Sequence, residues 1–372
     1  MSDEVLQAYI QQFLASQPEN EVCLAWQGGE PTLRGLDFFR RSIDLVKQYQ
    51  TAGQRVVYSL QTNGTLLDET WCKFLKQNHF LVGLSLDGPS RMHNAYRVNK
   101  GGKGTFDQVV HAWELLQKYQ VDTNILCAVH AANASFPLEV YRFFRDDLQS
   151  RFIQFIPIVE RLRSAPGCKE EGQDSRSPHP KRAPSVSHRS VGPRQYGTFL
   201  ISVFEEWVHR DVAKVFVQNF DSALSSWCHL PASVCIYQET CGSSLVLEHN
   251  GDLYSCDHYV EPAYRLGNIL ETPLTDLVSS ARQRQFGLDK RDRLPGECRA
   301  CAVRFACAGE CPRNRFVPFP GGRRPGGWED GINYLCPSYR RFYHHIEQPM
   351  RIMVELLHHG SAPAEIMHLD PS

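Results

Sequence analysis

Val22-Cys23-Leu24-Ala25-Trp26-Gln27-Gly28-Gly29-Glu30-Pro31 is the stretch on which the reading of this chain turns. A short apolar run stopped by two glycines and a proline is a buried strand entering a tight turn. Four further runs of the same kind follow at Arg55–Gln61, Phe80–Leu86, Thr123–Val129 and Phe152–Val159. Helical spacing fills the gaps at Leu36–Tyr49, Glu69–Gln77, Phe106–Tyr119 and Leu138–Leu148, and an amphipathic segment from Asp3 to Ser16 precedes the first strand. Strands alternating with helices of this length predict an α/β fold, βαβ units giving a parallel sheet covered by helices. The near-continuous apolar run Phe80-Leu81-Val82-Gly83-Leu84 predicts burial on both sheet faces. Function in such sheets gathers beyond the carboxyl ends of the strands. Gln27-Gly28-Gly29-Glu30-Pro31, Gln61-Thr62-Asn63-Gly64 and Ser85-Leu86-Asp87-Gly88-Pro89 all stand at those ends and predict one site mouth.

Outward from this core the pattern changes. Thr105 and Gln108 have the spacing of a capping box before the third helix. Residues 1–160 form the alternating unit. Residues 161–194, with eight Lys/Arg against three acids and few large apolar residues, read as a flexible basic insertion. Residues 195–230 supply a connecting helix, Tyr196–Val208, and one more strand within Val215–Phe220. Residues 231–345 are rich in cysteine and begin with a hairpin, Leu245–Glu248 and Leu253–Cys256, around the Asn250-Gly251 turn. Phe316–Gly327 reads as a loop, and residues 346–372 as a helical tail.

The 372 residues are 42% hydrophobic with a formal charge of −1, which excludes a wholly disordered chain and gives no overall field for nucleic acid. No apolar run reaches the roughly 20 residues of a membrane span, and Met1-Ser2-Asp3-Glu4 is not a secretory n-region. We therefore expect a cytoplasmic protein with neither nucleic-acid nor membrane partners. Thirteen cysteines are an odd number, and eight lie between Cys235 and Cys336. In a reducing compartment clustered thiols are metal or cluster ligands more often than disulfides. They fall as Cys235-x5-Cys241-x14-Cys256 and Cys298-x2-Cys301-x5-Cys307-x3-Cys311, with Cys336 beyond. Eight thiols complete two four-cysteine sites without His249 or His258. Spacing alone leaves zinc and iron–sulfur open. Cys23, Cys72, Cys127, Cys168 and Cys228 are scattered and read as incidental.

Together these residues resemble the radical S-adenosylmethionine enzymes, specifically the anaerobic sulfatase-maturating family with its C-terminal SPASM domain. The resemblance runs from Trp26-Gln27-Gly28-Gly29-Glu30-Pro31 to Cys336. It implies a partial (β/α)6 barrel, here lacking its first strand, followed by a small cysteine-rich domain. Gln27, Gly28, Gly29 and Glu30 match the segment that holds the methionyl amino group of S-adenosylmethionine. Ser85 and Arg97 match positions that hold its methionyl and ribose parts. The first auxiliary [4Fe–4S] cluster would take Cys235, Cys241, Cys256 and Cys311, and the second Cys298, Cys301, Cys307 and Cys336. Asp257 matches the catalytic base. The implied reaction oxidises a Cys or Ser of an unfolded sulfatase segment to formylglycine. A 5′-deoxyadenosyl radical takes a Cβ hydrogen, Asp257 takes the thiol or hydroxyl proton, and an auxiliary cluster accepts an electron. A separate electron donor is implied as a further partner.

One departure accompanies the match. The family's C-x3-C-x2-C loop, which holds the cluster that reduces the cofactor, is not in this sequence. The polypeptide as given is therefore expected not to cleave S-adenosylmethionine, because of either a start assigned to an internal Met or a shortened relative; an upstream C-x3-C-x2-C would decide for the first. Two other functions share these cysteines: another SPASM peptide maturase, such as a thioether-forming one, and a non-catalytic iron–sulfur module for peptide binding or electron transfer.

Overall fold

The computed structural model describes residues 1–162, 186–318 and 331–369. Six strands form one parallel sheet in sequential order: β1 (Glu21–Trp26), β2 (Arg55–Thr62), β3 (Phe80–Ser85), β4 (Asp122–Val129), β5 (Phe152–Pro157) and β6 (Phe216–Val217). Parallel neighbours need crossover connections, and helices supply them. In chain order the helices are α1 (Asp3–Ser16), α2 (Gly35–Tyr49), α3 (Glu69–Gln77), α4 (Ser90–His93), α5 (Phe106–Lys118), α6 (Pro137–Arg142), α7 (Gln195–Arg210) and α8 (Gln218–Trp227).

Burial alternates along β1, whereas β3, the strand of that apolar run, is buried at every residue except Leu81. Phe80, Val82 and Leu84 point into the helix-covered core, whereas Leu81 is 46% exposed and Phe152 50% exposed on the opposite face. Period-two geometry sends those side chains to a face that remains open. The covered face is densely aromatic. Phe39 of α2 meets Trp26, Trp71 and Phe80 edge-on, with centroids 5.3–6.4 Å apart. Trp26 also packs against Tyr9 and Phe38. This clasp fixes the last residue of β1, and with it the start of the Gln27-Gly28-Gly29-Glu30 turn.

Four local expectations change. Thr105 does not cap α5: its φ of −106° and ψ of 3° turn the hydroxyl to the Arg97 carbonyl, and Asn94 Oδ1 accepts the Phe106 N–H instead. The helix expected over Leu138–Leu148 ends as α6 at Arg142 and widens into a π turn, Phe143–Asp147. Only Phe216–Val217 of Val215–Phe220 is strand, because the Asn219 carboxamide bonds both the N–H and C=O of Phe155 and α8 begins there. That side chain does for β5 what a longer β6 would have done. Of the supposed insertion, residues 163–185 lie outside the described residues, but Ser187, Val191 and Arg189 are bonded to Glu160, Ile158 and Ala131. Backbone pairing, with Val191 fully buried, makes this segment part of the sheet's upper rim.

The cysteine-rich region carries a three-stranded antiparallel meander, β7 (Val246–Leu247), β8 (Asp252–Tyr254) and β9 (Arg265–Asn268). Helix α1 joins it to the sheet: Val5 packs with Leu253, Ile269, Leu274 and Leu277, and the Gln12 carboxamide bonds Ile269 O and Leu274 N. A second junction is the helix Cys336–His345, seated on α7 at Gly197. A Cβ there would lie 2.7 Å from the Ser338 backbone, so only glycine permits the contact.

Candidate active site and sulfur centres

At the end of β1, Gly28 and Gly29 have φ of +89° and +50°, and a Cβ on either would meet no atom within 4 Å. Their backbone is open to a ligand from the solvent side. Glu30 anchors the turn from behind. Its Oε1 accepts from Thr32 N, Thr32 Oγ1 and Thr62 Oγ1, and its Oε2 accepts from Asn63 N at 2.7 Å. The carboxylate thereby ties the end of β1 to the end of β2, and Oε2 keeps a lone pair for an ammonium group.

Ser85 closes β3 in a buried position. Arg97 is gripped in fork geometry by Asp87, with Nε–Oδ2 at 2.6 Å and Nη2–Oδ1 at 3.0 Å. Asp87 also accepts from Ala128 N at 2.9 Å and lies 3.6 Å from His130 Nε2. Its ionised form is favoured by His130, Arg97 and Ala128 against a desolvation cost, and the balance holds its carboxyl below the usual range. Behind it, His93 Nδ1 accepts the Asp87 N–H, so the neutral ring carries its proton on Nε2 facing Thr105 Oγ1 at 3.1 Å. Burial pushes His93 down to about 4. The Asn133 carboxamide closes the set on Asp87 O and Ala128 O. The sequence placed Asp87 in the Ser85–Pro89 segment of the site mouth without giving it a role, and His93, His130 and Asn133 were not singled out; the available signal was an acid two residues beyond a buried strand.

The Gln27 side chain reaches away from the glycines, to Asp257 Oδ2 at 3.4 Å. Asp257 Oδ1 is in turn 3.2 Å from Cys256 Sγ. The exposed carboxylate thus stands between the strand-end turn and a sulfur group. Cys256, Cys241 and Cys311 are close enough to feel one another's charge, and burial raises both the Cys256 and the Cys311 thiol above the usual range. Cys235 is tied to this region through its backbone: the buried Lys290 ammonium donates to Cys235 O and Ile236 O at 3.0 and 2.8 Å. Burial lowers the lysine while Cys241 and Cys311 work in the opposite direction. Cys298, Cys301, Cys307 and Cys336 form the other group, around one cavity of about 560 Å³. Arg315 supports the connecting loop, donating from complete burial to the carbonyls of Gly309, Lys290, Ala308 and Glu310.

The donor set fits two thiolate-held centres. Burial raises every one of Cys256, Cys298, Cys307, Cys311 and Cys336, and a positive metal centre beside them would favour the thiolates against that burial. Lys290 and Arg315, two buried cations, face a single buried carboxylate, Glu310, and suit anionic clusters nearby. Among the described residues no disulfide competes for these sulfurs. Of the scattered cysteines, Cys72 and Cys127 are core residues, Cys23 is exposed beside Ser59, Cys228 is half-buried, and Cys168 lies outside the described residues.

Fold and site define a radical S-adenosylmethionine enzyme with an iron–sulfur domain. Residues 1–141 match the Radical SAM superfamily, and residues 235–302 match SPASM, an iron-sulfur cluster-binding domain. The serine-type anaerobic sulfatase-maturating enzyme of Bacteroides thetaiotaomicron is 41% identical over 367 residues, 99% of this chain and 86% of the relative. The cysteine-type enzyme of Clostridium perfringens (strain 13 / Type A) is 34% identical over 92% of this chain and 86% of its own. Among solved structures, native anSMEcpe with bound AdoMet and Cp18Cys peptide superposes with a TM-score of 0.83 at 32% identity, covering 96% of this chain and 92% of that one. The chain belongs to the anaerobic sulfatase-maturating enzymes.

Proposed function

We propose that this chain carries the peptide-oxidising site of a sulfatase maturase, converting a Cys or Ser of an unfolded sulfatase segment to formylglycine in the cytoplasm. The cofactors are [4Fe–4S] clusters and S-adenosylmethionine, which together supply hydrogen-atom abstraction and an electron sink when bound. The observation that carries the reading is the position of Asp257, 3.4 Å from Gln27 Nε2 on one side and 3.2 Å from Cys256 Sγ on the other.

Gly28, Gly29 and Glu30 would receive the methionyl ammonium, by close backbone approach and by the free lone pair of Glu30 Oε2. Ser85 and Arg97 would hold the rest of the nucleotide, with Arg97 kept in place by Asp87. Cys235, Cys241, Cys256 and Cys311 would hold the first auxiliary cluster, and Cys298, Cys301, Cys307 and Cys336 the second. For a Ser substrate, loss of a Cβ hydrogen atom, the hydroxyl proton and one electron gives the aldehyde. Asp257 takes that proton; Gln27 keeps its carboxylate facing the peptide. A carboxylate beside a sulfur-bound centre joins proton acceptance to electron acceptance at one place.

The 372 residues contain no C-x3-C-x2-C triplet, so this polypeptide by itself is expected to take up two clusters and form no 5′-deoxyadenosine. The test uses a form of the enzyme that includes that loop. It is incubated anaerobically with S-adenosylmethionine, a reductant and sulfatase peptides carrying Cys or Ser at the target, and products are read by mass. Formylglycine in either peptide is the expected result. A thioether-linked product, or none with all clusters present, would overturn the reading. A separate electron donor is the remaining partner, and the dependence of turnover on a reduced protein donor tests for it.

A further inference from the structure

Beyond the ligands and the base, the sulfur group next to Asp257 has a neighbour without a role in that reading. His258 Nδ1 lies 3.3 Å from Cys311 Sγ, and the His258 N–H is 3.5 Å from Cys256 Sγ. Two sulfurs of one group are therefore addressed by one residue, through its ring and its backbone. The backbone that carries the ring is held from behind. The Arg313 guanidinium donates to the His258 carbonyl, sits over the Tyr259 ring at 5.6 Å and pairs with Glu261 at 3.7 Å. The Tyr259 N–H closes the turn on Cys256 O at 3.0 Å. Cys256, Asp257 and His258 together keep their ligand atoms within 4.8 Å of one another, so the residue's alternatives are ligand and hydrogen-bond donor.

We propose that His258 is a positioning and tuning residue: its Nδ1–H donates to the Cys311 thiolate of the first auxiliary cluster and raises that cluster's reduction potential. The inference rests on the cluster assignment above. Four cysteines already complete a four-iron site, leaving the imidazole the donor role. A thiolate is an acceptor, so the proton belongs on Nδ1. Hydrogen bonds to cluster sulfurs stabilise the more negative, reduced state. A higher potential makes the cluster a better acceptor for the electron that leaves the oxidised peptide.

The test uses the full 372-residue chain, reconstituted anaerobically with ferrous iron and sulfide, with midpoints read by spectroscopic redox titration. His258→Phe should keep all the iron of the unsubstituted chain while lowering one midpoint by about 59 mV, a tenfold change for one electron, and leaving the other unchanged. His258→Asn, which returns an N–H donor near the Nδ1 position, should restore most of the shift. His249→Phe, at the exposed hairpin turn, should change neither midpoint. Two unchanged midpoints in fully loaded His258→Phe would overturn the proposal. So would loss of half the iron, which would make His258 a ligand. A chain that takes up no iron at all would instead remove the cluster reading beneath it.

Discussion

Asp87 and Cys256 each lie two residues beyond a strand, yet different physics holds them. Asp87 follows β3 and has its carboxylate saturated from within the protein by Arg97 and Ala128, with His130 alongside. Cys256 follows β8 in a meander whose strands have only two to four residues, and burial raises its thiol instead of ionising it. The strand-end rim is completed by folding alone, on an aromatic core. The cysteine-rich region holds polar sulfurs together whose favourable charge state needs a metal. Cofactor pocket and cluster domain should therefore respond oppositely to metal removal, and they meet at Gln27 and Asp257.

The largest effect is expected at that meeting point. Asp257→Asn in a form containing the C-x3-C-x2-C loop should lower formylglycine formation by about 10²–10⁴-fold, the range of one acid–base group, with iron content unchanged. Undiminished turnover would take the base role from Asp257. Next, Cys298→Ala should remove one cluster and half the auxiliary iron. Hydrogen exchange should quicken across residues 298–311 and the Cys336–His345 helix, while β1 to β5 stay protected. Equal loss of protection in the sheet would erase the contrast between the two regions.

Asp87→Asn tests the other side. Removing the carboxylate strands Arg97 and should cost about 3 kcal/mol, with S-adenosylmethionine binding weakened about tenfold and cluster content intact. Calorimetry and iron assay on the same sample separate these effects. The smallest effect concerns His93. Its folded value of about 4 lies below that of a free imidazole, so the unfolded chain binds the extra proton between about pH 6.5 and 4. Stability is whole above that window and falls as pH drops through it, by about 2 kcal/mol at pH 5. Denaturant midpoints of the wild type and His93→Gln should converge as the pH is lowered; parallel curves would show that His93 does not titrate in this way.

Much of this was legible in the sequence because strand periodicity and cysteine spacing are local signals. Trp26-Gln27-Gly28-Gly29-Glu30-Pro31 announced a strand end and a glycine turn, and β1 to β5 lie where their apolar runs stand. Less was legible where a side chain replaces backbone. Asn219 finishes the β5 ladder and lets α8 begin early, which no propensity encodes. Thr105 lost its capping role to a hydrogen bond with Arg97, fixed by tertiary packing. Gln27 looked like part of the cofactor turn, but its side chain reaches a residue 230 positions away. His258 was passed over because eight thiols sufficed by count. Its closeness to Cys311 arises from two loops converging, a long-range fact.

Counting metal on the anaerobically reconstituted 372-residue chain tests the central claim most directly. Two cysteine quartets, one of them beside Asp257, predict about eight irons and eight sulfides per chain, in four-iron clusters by Mössbauer spectroscopy, falling by half when Cys256 and Cys311 are both replaced by Ala. Stoichiometric zinc with no iron, or iron that survives that double replacement undiminished, would contradict it.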